Sequence, residues 1–179
     1  VSCFYEQHKN LFGLLRAVKE ISLQRNDFQL ILVGTGDDFE MTYQYFESLN
    51  FPAGTVVFTG MQTSEALAKL MHDVDAIVQF SNYESAGVVV QEALVSGKAV
   101  ISTRVGIAPK YITDENGILV DVGNEHQLME AINKLLDNTG KYNSKLISEK
   151  AANEFSYERI GKKFFDIYSQ IISTETPSK

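Results

Sequence analysis

Apolar residues along this chain fall into two alternating patterns. Asn10–Leu23 carries Leu11, Leu14, Leu15, Val18 and Ile21 at helical spacing. Phe28–Val33 is a continuous apolar run ended by Gly34-Thr35-Gly36, which reads as a strand buried on both faces. Val1–Phe4 predicts an earlier short strand, and Val56–Phe58, Ala76–Phe80, Ala99–Ser102 and Gly117–Val120 predict four more. Helices are expected between them: Asp38–Leu49, with Phe39, Met41, Tyr45, Phe46 and Leu49 as its apolar positions; Ser64–Met71, with Ser64 as N-cap; and Gly87–Ser96, closed by Gly97. Glu125–Leu136, a weaker Lys145–Asn153 and Tyr157–Ile172 complete the series, with Leu128, Ile132 and Leu135 inward on the first.

Strands that alternate with helices and lack polar alternation imply a parallel sheet covered on both faces. The fold class is therefore α/β, a Rossmann-like doubly wound domain, expected over residues 1–173 with a disordered polar tail at 174–179. Ligands on such sheets bind at the carboxyl ends of the strands. Lys9, Gly34-Thr35-Gly36, Gly60, Glu84 and Gly106 all fall there.

Composition narrows the function. The chain has 179 residues, 44% hydrophobic and 22% charged, and a net charge of −7. No apolar run approaches the roughly 20 residues that span a bilayer. A nucleic-acid partner is not expected, because no basic stripe is present. Cys3 is the single cysteine, which fits a reducing, cytoplasmic compartment. His8, His72 and His126 are scattered without metal-ligand spacing. The opening Val-Ser-Cys-Phe reads as a strand already under way, so a piece of a longer protein is expected.

The most informative stretch is Ser81-Asn82-Tyr83-Glu84-Ser85-Ala86-Gly87-Val88-Val89-Val90-Gln91-Glu92-Ala93. It sets two carboxylates eight residues apart, around a small-residue turn that opens a helix. Free N–H groups and partial positive charge at a helix N-terminus suit a phosphate. A carboxylate there repels phosphate unless it accepts hydrogen bonds from hydroxyls, and a sugar nucleotide supplies both groups. Glu92 reads either as exposed on the polar face of its helix or, because that helix is expected to be mostly buried, as a carboxylate in need of a partner; a vicinal diol matches its two oxygens. Glu84 has a second reading as compensation of the helix dipole. Lys9 reads either as a phosphate ligand or as a solvated lysine. Gly34-Thr35-Gly36 reads either as a phosphate-approach turn or as a tight turn needing glycine. Phe39 stands where a dinucleotide motif has its third glycine, which argues against a nicotinamide oxidoreductase.

With its flanks, the E-x7-E segment resembles the donor-binding motif of family-4 retaining glycosyltransferases. The chain from Val1 to about Tyr168 is similar to the C-terminal domain of these GT-B-fold enzymes. The resemblance rests on Leu14-Leu15-Arg16-Ala17, Leu32-Val33-Gly34-Thr35-Gly36, Val57-Phe58-Thr59-Gly60, Asp75-Ala76-Ile77-Val78 and Glu92-Ala93-Leu94-Val95-Ser96-Gly97-Lys98. It continues through Val105-Gly106, Glu115-Asn116-Gly117-Ile118-Leu119-Val120 and Phe155-Ser156-Tyr157-Glu158-Arg159-Ile160.

The resemblance implies roles for individual residues. Lys9 would bind the donor diphosphate, Glu84 the sugar hydroxyls and Glu92 the ribose. Backbone N–H groups of Ala86, Gly87 and Val88 would sit near sugar and phosphate, Gly34 and Gly36 would line the donor site, and Met61-Gln62 would border the base. It implies a UDP-, GDP- or related sugar donor, no metal, and an N-terminal acceptor domain absent from this chain. It also implies a cytoplasmic enzyme, or one peripheral at the inner membrane face.

Three positions depart from the family pattern. Cys3 replaces a basic residue, with Arg104 as a substitute. Gly106-Ile107-Ala108-Pro109-Lys110 replaces Gly-Gly-x-Pro-Glu. Glu84-Ser85-Ala86-Gly87 replaces Glu-Gly-Phe-Gly. The competing reading is a non-catalytic nucleotide-binding or interaction domain with a degenerate pocket. The last helix, rich in Phe164, Phe165, Ile167, Tyr168 and Ile171, is expected to expose apolar surface through which the fragment self-associates.

Overall fold

The structure is a computed structural model that describes residues 2–174, with the side chains of residues 2, 3 and 174 not described. Six strands run parallel in two groups of three: β1 (Ser2–Cys3), β2 (Leu30–Thr35) and β3 (Val56–Gly60), then β4 (Ala76–Gln79), β5 (Ala99–Thr103) and β6 (Gly117–Val120). β2 lies between β1 and β3, and β5 between β4 and β6. The registers pair Ser2 with Gly34, Leu30 with Val56, Ala76 with Ala99, and Val100 with Gly117. The parallel α/β architecture follows the sequence reading. Among the described residues β1 pairs only with β2, and β4 only with β5.

Burial explains why the strands lacked polar alternation. All five residues of β5 are buried. Ala99 and Ile101 pack with α2 (Leu11–Ser22) and α7 (Glu125–Leu136), while Val100 packs toward α5 (Val88–Val95) and α8 (Ser144–Phe155). A strand covered on both faces must be apolar on both. Phe39, Tyr45 and Phe46 of α3 (Phe39–Ser48), with Leu49 at its C-cap, join the α2–α7 layer, and Met71 of α4 (Ser64–Asp73) joins the α5–α8 layer. The domain is thus doubly wound.

α2 shows how local sequence and packing agree. Leu11, Leu14, Leu15, Val18 and Ile21 are buried as one stripe, and burial of each such side chain stabilises by about 1.5–3 kcal/mol. Asn10, at φ 49°, caps the helix by accepting a hydrogen bond from the Gly13 N–H.

Several details differ from expectation. The N-cap of α4 is Thr63, whose Oγ1 accepts from Ala66 N–H at 3.2 Å; Ser64 is the first helical residue, and Thr63 alone has the extended backbone a cap requires. On α3 the inward position is Thr42, while Met41 is 46% exposed, because the buried face follows 42, 45, 46 and 49. Two short helices were not foreseen: α1 (Glu6–Lys9) and α6 (Ala108–Tyr111). The weak helix runs over Ser144–Phe155, and Thr174 belongs to α9 (Tyr157–Thr174), while 175–179 lie outside the described residues. Phe164, Phe165, Ile167 and Tyr168 of α9 are all more than half exposed.

Gly36 has a structural reason to be glycine. A Cβ there would lie 2.5 Å from the Phe4 carbonyl oxygen and 2.6 Å from its nitrogen. Gly36→Ala is expected to cost about 1–3 kcal/mol by overpacking. It would appear as a lower urea midpoint at constant m-value; an unchanged midpoint would show that the Phe4 backbone moves aside at no cost.

Candidate active site

At the carboxyl edge, the chain leaves β1, crosses Phe4 and turns at once into α1. Asp38 anchors that turn at both ends: its N–H donates to the Phe4 carbonyl at 3.1 Å, and its Oδ2 accepts from Glu6 N–H at 2.8 Å. Glu6 in turn accepts from Phe12 N–H at 3.1 Å, and burial pushes its carboxyl above the ordinary range despite that donor. Asn10 in the left-handed conformation ends α1 and its N–H returns to the Glu6 carbonyl. Lys9 is therefore the last residue of a pinned helical turn rather than a residue of a loose linker.

The segment after β4 docks onto that turn. Asn82 N–H donates to the His8 carbonyl at 2.6 Å, and Asn82 Nδ2 to the Gln7 carbonyl at 3.1 Å. Ser81 is buried, and its carbonyl accepts from Thr103 Oγ1 at 2.6 Å, which ties the segment to the end of β5. These bonds carry Glu84 to Lys9. Lys9 Nζ forms an ion pair with Glu84 Oε1, and Ser81 Oγ donates to the same oxygen at 3.0 Å. The two side chains are only 22% and 13% exposed, so the pair is shielded and stronger than a surface bridge. Among the described residues, no partner is recorded for Glu84 Oε2, and two of the three Lys9 N–H donors are uncommitted.

Gly87 follows, at φ 70°, and begins α5 without any side-chain cap. The first N–H groups of that helix thus have no side-chain acceptor. Gly106, at φ 55°, packs against Glu84: a Cβ there would lie 3.0 Å from the Glu84 Cβ. Tyr5, His8 and Tyr83 form an exposed ring cluster beside the pair, with centroids 4.7 and 5.4 Å apart.

The structure brings together Lys9, Glu84, Ala86, Gly87 and the start of α5 at Val88. Gly34, at φ 128°, and Gly36 lie beside Phe4 at the base of α1. Met61 and Gln62 follow β3 on the far side of β2 and are exposed; Gln62 Nε2 donates to the Thr59 carbonyl at 2.8 Å. No hydrogen bond or ion pair among the described residues joins them to Lys9 or Glu84. For Glu92 the structure follows the reading of exposure on the polar face, not that of a buried carboxylate in need of a partner. It is exposed, because the inward stripe of α5 is Val90, Ala93 and Leu94. Val88 is likewise 53% exposed. Arg104 pairs with Asp121 at 3.3 Å instead of reaching the site, and Lys110 lies over the Tyr111 ring.

Sequence reasoning missed Ser81, Thr103 and the Tyr5–His8–Tyr83 cluster. Ser81 carried a signal: a serine at the end of an apolar strand, three residues before the first carboxylate. Thr103 and the His8–Tyr83 contact carried none, since Thr103 lies 22 residues from Ser81 and His8 lies 75 from Tyr83. Among the described residues, no group of three His, Cys, Asp or Glu side chains could hold a metal ion, and no helix is long and apolar enough to cross a membrane.

Glycosyl transferases group 1 sequences match residues 4–153. The chain is 30% identical over 166 residues to an uncharacterized glycosyltransferase of Methanocaldococcus jannaschii, covering 89% of this chain and 41% of that protein. It is 31% identical over 172 residues to D-inositol 3-phosphate glycosyltransferase of Corynebacterium diphtheriae, covering 91% and 40%. The chain thus spans about two fifths of the curated relatives it matches. Among solved structures, sucrose-phosphate synthase from Thermosynechococcus elongatus superposes with a TM-score of 0.83 at 26% identity, over 98% of this chain and 45% of that one. Anabaena HepE in complex with UDP gives 0.82 at 23%, over 94% and 47%. These neighbours have the GT-B fold. Matched over most of its length, this chain belongs to the glycosyl transferases group 1 family.

Proposed function

We propose that this chain is the C-terminal, donor-binding half of a family-4 retaining glycosyltransferase, which moves a sugar from a UDP-, GDP- or related nucleotide onto a hydroxyl acceptor. One observation carries the reading: the shielded Lys9–Glu84 pair sits beside the uncapped N-terminus of α5. An ammonium with free donors and a helix N-terminus suit a diphosphate. A carboxylate with an uncommitted oxygen suits a sugar hydroxyl, and its pairing with Lys9 removes its repulsion of the phosphates. The UDP bound in the HepE structures, and a relative described as a GDP-mannose-dependent alpha-mannosyltransferase, support a nucleotide-sugar donor.

In this reading Lys9 and the N–H groups of Ala86, Gly87 and Val88 receive the diphosphate. Negative charge grows on the leaving diphosphate as the glycosidic bond breaks. Fixed donors aimed at it stabilise the transition state more than the bound donor. Glu84 holds the sugar, Glu92 the ribose, and Met61-Gln62 border the base. This reading needs no metal. An N-terminal domain of the same polypeptide supplies the acceptor site, and α9 carries the exposed apolar face that it covers. When residues 1–179 stand alone, that face drives self-association.

Lys9→Ala is expected to weaken UDP or GDP binding by titration calorimetry by about 1.5–3 kcal/mol, the worth of a charge-assisted hydrogen bond. In the full-length enzyme, kcat/KM should fall further than the binding loss accounts for, and further than the drop in Tm caused by leaving Glu84 without its ammonium partner explains. Nucleotide affinity unchanged in Lys9→Ala would return the residue to a structural pair with Glu84. Binding without sugar transfer by the full-length protein would favour a degenerate, non-catalytic domain.

Glu92→Gln tests the ribose assignment. Because Glu92 is exposed, the expected loss for UDP or GDP is about 0.5–1.5 kcal/mol, the range of an ordinary hydrogen bond, and it should shrink when the 2′-deoxynucleotide is used. Equal losses for ribo- and deoxynucleotides would place Glu92 elsewhere.

For α9, Phe165→Asp is expected to shift residues 1–179 toward monomer in sedimentation velocity. Identical sedimentation of the two chains at all concentrations would remove α9 from any self-association.

A further inference from the structure

Three rings beside the Lys9–Glu84 pair have no part in donor binding as proposed above. Tyr5 precedes α1 and His8 lies three residues on, so their side chains share one face of that turn. Their ring centroids are 4.7 Å apart, with the planes at 79°. Tyr83 comes from the segment after β4, and its ring lies 5.4 Å from that of His8 at 53°. Tyr5 is 40% and Tyr83 59% exposed, and His8 is exposed as well.

The cluster is held from its backbone. The N–H groups of Asn82 and Tyr83 donate to the His8 carbonyl at 2.6 and 3.3 Å, and Asn82 Nδ2 donates to the Gln7 carbonyl at 3.1 Å. These bonds join the two segments without using the rings, and more than half of Tyr83 stays in water. Rigid aromatic faces offer a ligand contact area at little cost in entropy. Their polar atoms are open too. The Tyr5 hydroxyl reaches Gln7 Oε1 at 3.4 Å, and among the described residues no hydrogen bond is recorded for the Tyr83 hydroxyl or the His8 ring.

Position decides what the rings can take. His8 adjoins Lys9 and Tyr83 adjoins Glu84 in the chain. The ion pair is shielded, and the rings beside it stand in solvent. In the donor-binding reading, Lys9 and α5 meet the diphosphate, Glu84 meets the donor sugar, and Met61-Gln62 beyond β2 meet the base. The second substrate is what remains for the rings. We propose that Tyr5, His8 and Tyr83 are this chain's own contribution to acceptor binding, and that the acceptor presents a pyranose ring. The C–H hydrogens on one face of a pyranose carry partial positive charge, and the face of an aromatic ring is negative. That face lies on Tyr83, and the hydroxyls at its rim bond to the Tyr5 hydroxyl and the His8 imidazole. A sugar stacked there is placed beside the one held at Glu84, and such proximity is what transfer between two reactants requires. The inference rests on the donor-binding reading for the identity of that neighbour.

The test uses the full-length protein loaded with UDP or GDP, whichever it binds. Saturation-transfer NMR reads binding of the methyl α-pyranosides of glucose, galactose and mannose, with glycerol as a control that has hydroxyls but no ring face. At least one glycoside is expected to receive saturation through its C–H protons, and glycerol none. Tyr83→Leu keeps apolar bulk but removes the aromatic face; it should raise the apparent Kd for that glycoside about tenfold, while nucleotide affinity and Tm stay unchanged. Tyr83→Phe keeps the face and should keep the binding. No transfer to any of the three glycosides, or equal transfer to glycerol, would overturn the proposal. So would an unchanged glycoside Kd in Tyr83→Leu, with or without a fall in Tm, since the ring would then only brace the fold. A loss of nucleotide affinity in Tyr83→Leu would overturn it by placing the cluster in the donor site. Failure of the donor-binding reading itself shows differently, as a wild type that binds neither nucleotide, and it takes this inference with it.

Discussion

The carbonyl of His8 joins two halves of this molecule that the sheet itself does not join. β1 contributes two residues and β4 pairs away from it, so no ladder among the described residues crosses between them. At the carboxyl edge the crossing is made instead by the end of α1. The last carbonyls of a helix have no partners within it. Those of Gln7 and His8 are satisfied by Asn82, and His8 also lies near enough to Tyr83 N–H for a weak bond at 3.3 Å. This clasp and the Thr103–Ser81 bond together hold Glu84 beside Lys9.

The charges at the site follow from the same constraint. A half-buried carboxylate near a helix start is tolerable only if its charge is met. Ser81 and Lys9 meet it on one oxygen. The segment can turn so closely because Gly87 and Gly106 both adopt positive φ, and a side chain at Gly106 would press against Glu84. The Gly36 approach to Phe4 sets the base of α1 in the same manner. These glycines shape backbone, and the chemistry lies in Lys9, Glu84 and the start of α5.

α5 and α9 show the limits of a helical stripe as a guide to burial. α5 is short and apolar almost throughout, so its composition gives little information on which side faces inward. Packing on β4, β5 and α8 selects Val90, Ala93 and Leu94, and Glu92 turns outward. α9 has a clear apolar stripe, yet Phe164, Phe165 and Tyr168 remain exposed, because within this chain it meets only the end of α8 closely.

The alternation of strands and helices, the two-sided burial of β5 and the inward stripes of α2 and α7 were legible in the sequence, because each follows from the local period of apolar residues. Asn10 as a cap and Glu84 as a residue of a helix-opening turn were legible for the same reason: capping and turn chemistry act over three or four residues. The Lys9–Glu84 pair, the hold of Asn82 on α1, the role of Thr103 and the exposure of Glu92 were not. Lys9 and Glu84 lie 75 residues apart, and nothing in either segment specifies the other. The two-sheet arrangement was also decided only in three dimensions. Strand period states that a segment is extended and buried, but which edge it pairs with, and over how many residues, is set by backbone hydrogen bonds between segments distant in the chain.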